Sequence, residues 1–408
     1  MVGPTNPSTR RRRPWRALAL GVVLAVAFDQ LLLRLVLDDG WFLGRRIAPF
    51  DPPLFSAVQF EAMARLGQEA RDGTPRSRAV RFDAELGWTH APDTGDGDDR
   101  IDARGARATS NASDGTGIAP ALRLAVLGCS FTYGTEVAAD DAWPARLAKR
   151  RAPELDVVNL GVPGYGVDQA LLRWRSIATR VAAGEVWLGF MPEAAARTVN
   201  VYRPALRPWS PTVAFKPRFR IGEDGALSLV PSPARSLDEL VRLLGDQRTF
   251  LAAVGESDAF VRDARAAYAP AGSQLLHHSA VGRLLLTALW RGGRDGHALL
   301  ADPHGEVRRV TEAIGVAFAA ECRVRGERFR IVVLPDRDGL RRRRADGVAS
   351  WDGLIAAWRH AGIDVVDVAD ALAAAGVIDD DDAWMSGEHY APGTHQLVAE
   401  QLERQLDH

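Results

Sequence analysis

Leu122-Arg123-Leu124-Ala125-Val126-Leu127-Gly128-Cys129-Ser130-Phe131-Thr132-Tyr133-Gly134 decides the reading of this chain. A short apolar run closing on glycine is the signature of a buried strand. A hydroxyl directly after such a strand sits at the carboxyl edge of a sheet, where α/β proteins bind ligands. Backbone N–H groups in that turn can face a developing oxyanion, and the flanking glycines permit tight geometry. A Gly-x-Ser alone also fits a structural turn. The rest of the chain has to decide between the two.

Downstream the pattern repeats. Val157–Leu160, Glu185–Phe190, Phe329–Leu334 and Ile363–Val368 read as further strands. A helix starts near Asp141, with Pro144 tolerated in its first turn. Val310, Ile314, Phe318 and Cys322 form a helical stripe that stops at Gly326. Strands alternating with helices predict a three-layer α/β/α domain over 119–408 with a mostly parallel central sheet. An insertion at about 205–300 interrupts it. Residues 202–234 are proline-rich, and Ser236-Leu237-Asp238-Glu239 then offers a capping box, so the insertion reads as a helical cap. Residues 41–118 read as an irregular lead-in, most ordered at Phe82–Trp88 and loop-like from Asp93 to Gly117.

The first forty residues read as an address. Arg10–Arg13 precede an uncharged stretch, Ala17–Phe28, and apolar residues continue to Leu37 past Asp29 and Arg34. That length spans a bilayer if both charges are tolerated, and Asp29 then needs a partner. The basic block predicts a cytoplasmic N-terminus and an extracytoplasmic remainder. Cleavage after Ala25-Val26-Ala27 is the competing reading, but the apolar pattern runs on beyond it and favours a retained signal anchor.

Composition removes other classes. Lys plus Arg number 51 against 52 Asp plus Glu, which gives no footprint for nucleic acid. Two cysteines, Cys129 and Cys322, exclude a disulfide framework and a cysteine-based zinc site, and they read as separate buried thiols. His277, His278, His297 and His304 lack metalloprotease spacing, so neither a metal nor any other cofactor is expected. Asn111-Ala112-Ser113 matches a glycosylation acceptor, a common triplet. The runs Arg341–Arg344 and Asp379–Asp382 read as solvated faces.

Three blocks together carry a resemblance. Gly128–Gly134 is followed by Asn159-Leu160-Gly161-Val162-Pro163-Gly164-Tyr165-Gly166. Near the end, Gly387-Glu388-His389-Tyr390-Ala391-Pro392-Gly393-Thr394-His395 opens a helix. Over about 122–204 and 305–404 the chain resembles the SGNH, or GDSL-type, serine hydrolases, including membrane-anchored members. The resemblance implies a flavodoxin-like sheet, Ser130 as nucleophile, His389 as general base, and the N–H groups of Ser130 and Gly164 as oxyanion donors. His395 matches a helix-start position, and Cys129 stands where the family usually has Asp, outside the catalytic set.

Two family positions are changed. The third block, Gly189–Ala194, has no Asn, and Asn200 is the nearest substitute. Ser386 stands where a carboxylate often precedes the base, leaving Asp381, Asp382 or Glu388 as surrogate acids, with Asp382 first. The expected activity is acyl-ester hydrolysis on a small ester or on O-acyl groups of a cell-envelope glycan. Glycan O-acyl transfer on the same site, and a silent glycan-binding module, remain open beside it. The oligomeric state is not readable from the sequence.

Overall fold

A computed structural model describes residues 14–39, 41–42, 45–46, 57–72, 80–109, 120–208, 210, 212–268, 279–292 and 294–406. Arg10–Arg13, Asn111–Ser113, His277 and His278 lie outside the described residues.

Five parallel strands form the central sheet: β1 (Leu122–Gly128), β2 (Leu155–Asn159), β3 (Glu185–Phe190), β4 (Arg328–Val333) and β5 (Asp364–Asp367). Their spatial order is β5-β4-β3-β1-β2, the doubly wound arrangement whose connections reverse direction between β1 and β3. Every residue of β3 is buried, as the central strand of a sheet covered on both faces must be. Register then aligns the carboxyl ends. Gly128 pairs with Gly189 and Val126 with Asn159, so the turns after β1, β2 and β3 emerge level with one another.

The helices follow from the same alternation. In chain order the ones needed below are α1 (Pro14–Asp39), α2 (Ser130–Tyr133), α3 (Trp143–Arg150), α4 (Val167–Val181), α5 (Ala280–Gly292), α6 (Glu306–Val324), α7 (Asp352–His360) and α8 (Pro392–Leu406). Helix α4 packs on β1 and β3, α6 on β4 and α4, and α7 on β5 and α6. Helices α3 and α8 pack together, with α3 against β2, and right-handed crossovers put this pair on the opposite face. The stripe Val310, Ile314, Phe318 and Cys322 of α6 is buried, as its spacing predicts. His395 joins α3 to α8: its Nδ1 accepts from Trp143 N at 3.2 Å. Burial pushes that imidazole down to about 3, so it stays a neutral acceptor.

The insertion is more than helices. An antiparallel hairpin, Arg218–Ile221 with Leu227–Val230, precedes the helices Leu237–Gly245, Gln247–Val254 and Ala259–Tyr268. The proline-rich composition hid it, because both strands are four residues long and half-exposed. Ser236 does cap its helix, accepting from Glu239 N at 3.1 Å.

The lead-in is not irregular throughout. The helix Ala57–Arg71 packs on Leu237–Gly245, putting Phe60 and Met63 into one core with Leu240 and Leu244. A hairpin, Val80–Asp83 with Gly87–His90, follows. The segment read as exposed loop buries Ile101, Ala106, Arg107 and Ala108. Its turn-forming residues are present, but composition cannot register that one arginine in such a stretch has internal partners.

Both cysteines are free and buried. The two charge runs meet in one pair, Arg344 with Asp379 at 2.6 Å, and Asp381 pairs with Arg337, four residues before the basic run, at 2.5 Å.

Candidate active site

Ser130 opens α2 two residues beyond β1, and Gly128 makes that position reachable. A Cβ on Gly128 would stand 2.6 Å from Gly189 O, inside any real contact, so only glycine lets β1 and β3 end this close together. The turn closes on itself, with Thr132 N and Tyr133 N donating to Cys129 O at 3.1 and 2.9 Å. Ser130 itself is only 8% exposed.

Asn159, at the end of β2, fastens that turn to the next one. Its Nδ2 donates to Thr132 O at 3.1 Å and to Tyr133 O at 3.2 Å, while its Oδ1 accepts from Gly161 N at 3.1 Å. Val162 N donates to Gly128 O at 3.0 Å. Gly164 then takes φ +85°, a region L side chains avoid, above the indole of Trp88. Trp88 Nε1 donates to Pro163 O at 3.1 Å, and Tyr165 Oη donates to Trp88 O at 2.7 Å. Among the described residues the N–H groups of Ser130 and Gly164 carry no hydrogen bond.

The imidazole arrives from the loop before α8. His389 Nδ1 lies 2.6 Å from Glu136 Oε2, and the other oxygen of Glu136 accepts from Ser386 Oγ at 3.1 Å and Gly387 N at 3.0 Å. The carboxylate expected near His389 therefore comes from the loop that follows Ser130. Asp382 does not hold this place. It is exposed, in a turn where its N–H donates to Asp380 Oδ1 at 2.9 Å. Ser386, where the family often has an acid, helps to bind the acid supplied from elsewhere.

Burial raises the Glu136 carboxyl, but the bonds from His389, Gly387 N and Ser386 outweigh it and hold the group below its ordinary range. Glu136 and Glu388 both have positive φ, +72° and +63°, so two strained residues frame the imidazole. The Phe131 ring lies 5.4 Å from that of His389 and 4.7 Å from that of Tyr390. This brings His389 over α2, the helix that Ser130 opens. With Nδ1 engaged by a carboxylate, Nε2 is the nitrogen left to serve a hydroxyl. No hydrogen bond links Ser130 Oγ to His389 among the described residues.

Arg107 braces the whole turn from the lead-in. Its Nη1 donates to Tyr133 O at 2.8 Å and Gly134 O at 2.7 Å, and its Nη2 to Val137 O at 2.7 Å. Those carbonyls bracket Glu136. Neither Arg107 nor Glu136 was singled out from sequence; the acidic residue six positions after the nucleophile was the only trace available.

One other expectation meets a different outcome. Asn200 is buried, and its Nδ2 donates to Tyr202 O at 2.7 Å and to Asp258 Oδ2 at 2.9 Å, so its amide serves a structural knot. Met191, just past β3, lines a small cavity with Gly128, Cys129, Tyr165 and Ala194, and offers no N–H from its side chain. No group of His, Cys, Asp and Glu with metal-binding geometry occurs among the described residues.

No protein-family model matches the chain, and no curated protein matches it. Solved structures do. The chain is similar to a catalytic mutant of the acetylxylan esterase Axe2 from Geobacillus stearothermophilus, at 12% identity and TM-score 0.36, covering 71% of this chain and 95% of that one. It is similar to the psychrotrophic esterase EstA from Pseudoalteromonas sp., at 8% identity and TM-score 0.34, covering 70% and 96%. A member of the lipolytic G-D-S-L family from Veillonella parvula matches at 11% identity and TM-score 0.32, covering 69% and 96%. Likenesses this distant carry no functional argument. The chain's own sheet order, β5-β4-β3-β1-β2, defines a doubly wound, flavodoxin-like α/β fold.

Proposed function

We propose that the chain is a membrane-anchored serine esterase whose catalytic groups are Ser130, His389 and Glu136. His389 Nε2 takes the Ser130 proton as Oγ attacks an ester carbonyl, and Glu136 holds the imidazole in the right tautomer and stabilises the imidazolium. The N–H groups of Ser130 and Gly164 receive the oxyanion. His389 then returns the proton to the leaving alcohol, and water releases the acyl group by the same steps reversed. The observation that carries this reading is the 2.6 Å bond between Glu136 and His389 above the helix that Ser130 opens.

The anchor is α1. Its segment Trp15–Leu32 has a mean hydropathy of 1.6, and none of its residues is fully buried inside the protein. The basic residues before it favour an extracytoplasmic catalytic domain, which makes O-acylated envelope glycans or small esters the natural substrates. The full chain in detergent should hydrolyse short-chain nitrophenyl esters, and Ser130→Ala should abolish turnover. Unchanged turnover in that variant refutes the assignment.

The absence of a polar side chain at Met191 favours a second reading, a slow or silent glycan-binding site. A fluorophosphonate probe separates the two: labelling of Ser130 supports the esterase, and glycan binding without labelling supports the silent site. Mass spectrometry of products formed with added glycan distinguishes water from a sugar hydroxyl as acceptor.

A further inference from the structure

Asp29 lies inside the apolar helix α1, where an unpaired carboxylate is costly. Its oxygens accept from Ser279 Oγ at 3.0 Å, Ala280 N at 3.2 Å and Val281 N at 3.0 Å. These are the first free N–H groups of α5, so Asp29 caps a helix 250 residues away in sequence. Helices α1 and α5 also pack against each other.

Helix α5 has two kinds of surface. Ala280 and Leu286 are buried, whereas Val281, Leu285 and Leu289 are 60%, 57% and 67% exposed. At helical spacing these three cover about 80° of one face. Helix α1 is largely exposed from Trp15 to Leu31 in the same way, with Leu20, Leu24 and Phe28 each at least 60% exposed. Large apolar side chains gathered on one exposed surface mark a contact with something apolar.

We propose that α5 lies in the lipid interface on the side where α1 leaves the bilayer, as a second membrane contact that fixes the height of the catalytic domain. The geometry sets the depth. The 18 residues Trp15–Leu32 span about 27 Å, close to a hydrocarbon core. Asp29 is three residues short of the exit end, so the capped start of α5 sits about 4–5 Å inside it. That is the depth at which an amphipathic helix rests on its apolar face. Lipid is the occupant because the exposed face of α5 adjoins a helix that itself needs lipid around it.

The proposal rests on α1 being inserted, and not on the esterase chemistry. The test uses the full chain in phosphatidylcholine vesicles, with an environment-sensitive fluorophore on L24C, L285C, L289C or V324C. The native thiols are buried and stay unlabelled. Circular dichroism confirms that each variant folds. Lipids carrying a nitroxide deep in the acyl chain should quench the label at position 24. Lipids carrying it near the headgroup should quench labels at 285 and 289 about twofold or more above the label at 324, which stands on an exposed position of α6. If 24 is quenched while 285 and 289 behave like 324, α5 is not in lipid and the proposal fails alone. If 24 is not quenched either, the insertion of α1 fails and takes the proposal with it.

Discussion

Glu136 Oε2 and His389 Nδ1 lie 2.6 Å apart although 253 residues separate them in the chain. In the proposed site the acid and the nucleophile thus come from one stretch of chain and the base from another. Serine hydrolysis needs the acid to orient the imidazole and to stabilise its charged form, and its origin in the fold is immaterial to those tasks.

Replacing Glu136 by Gln should therefore keep the loop and lose the tautomer. Turnover of a nitrophenyl ester should fall on the order of 10²–10⁴-fold, with KM little changed. Asp382→Asn should leave turnover as it was. Steady-state kinetics on both variants checks the assignment, and the reverse ranking sinks it.

Acid should weaken the same contact. The carboxyl of Glu136 is held below its ordinary range, so its contribution to stability is fully present above its unfolded value. It is lost as pH falls through the lower, folded one. The stability difference between the native chain and Glu136→Gln, read by urea unfolding, should be largest near neutrality and close in acid. A gap that widens in acid contradicts the hydrogen-bond origin of the shift.

Arg107→Met would leave Val137 O without its donor, whereas Tyr133 O keeps Asn159 Nδ2 and Gly134 O keeps Val137 N. A buried acceptor left without a donor costs about 1–3 kcal/mol, and the weakened bonding of the other two carbonyls adds to it, so unfolding should shift by about 1–3 kcal/mol. Arg107→Lys should not rescue it, since a point charge cannot reproduce the planar fork. Denaturant midpoints for both variants test this.

Met191→Asn should raise activity. One oxyanion donor is worth on the order of 10²–10³ in turnover when native geometry supplies it, and an unrefined graft should recover at least about tenfold. A kcat unchanged or lowered in a folded Met191→Asn protein would show that position 191 does not face the oxyanion.

The sheet was legible because buried parallel strands leave continuous apolar runs. Glu185–Phe190 was read with its observed bounds, and α6 followed from its four-residue stripe. Ser130, Gly164 and His389 were legible as blocks at strand and helix ends. Glu136 was not, because the contact that defines its role is made across the fold. Arg107 was hidden for a related reason: its neighbours in sequence are turn formers, while its partners are backbone carbonyls beyond the reach of any local pattern. The search for an acid near Ser386 looked at the right spot and in the wrong part of the chain.

Asn159 ties the serine turn to the glycine loop through three hydrogen bonds of its side chain. The two amides proposed to receive the oxyanion thus belong to a single stiff piece, and their dipoles are already oriented before any ester arrives. Charge that builds on the carbonyl oxygen meets a field that need not rearrange. In water the surrounding dipoles would have to turn first.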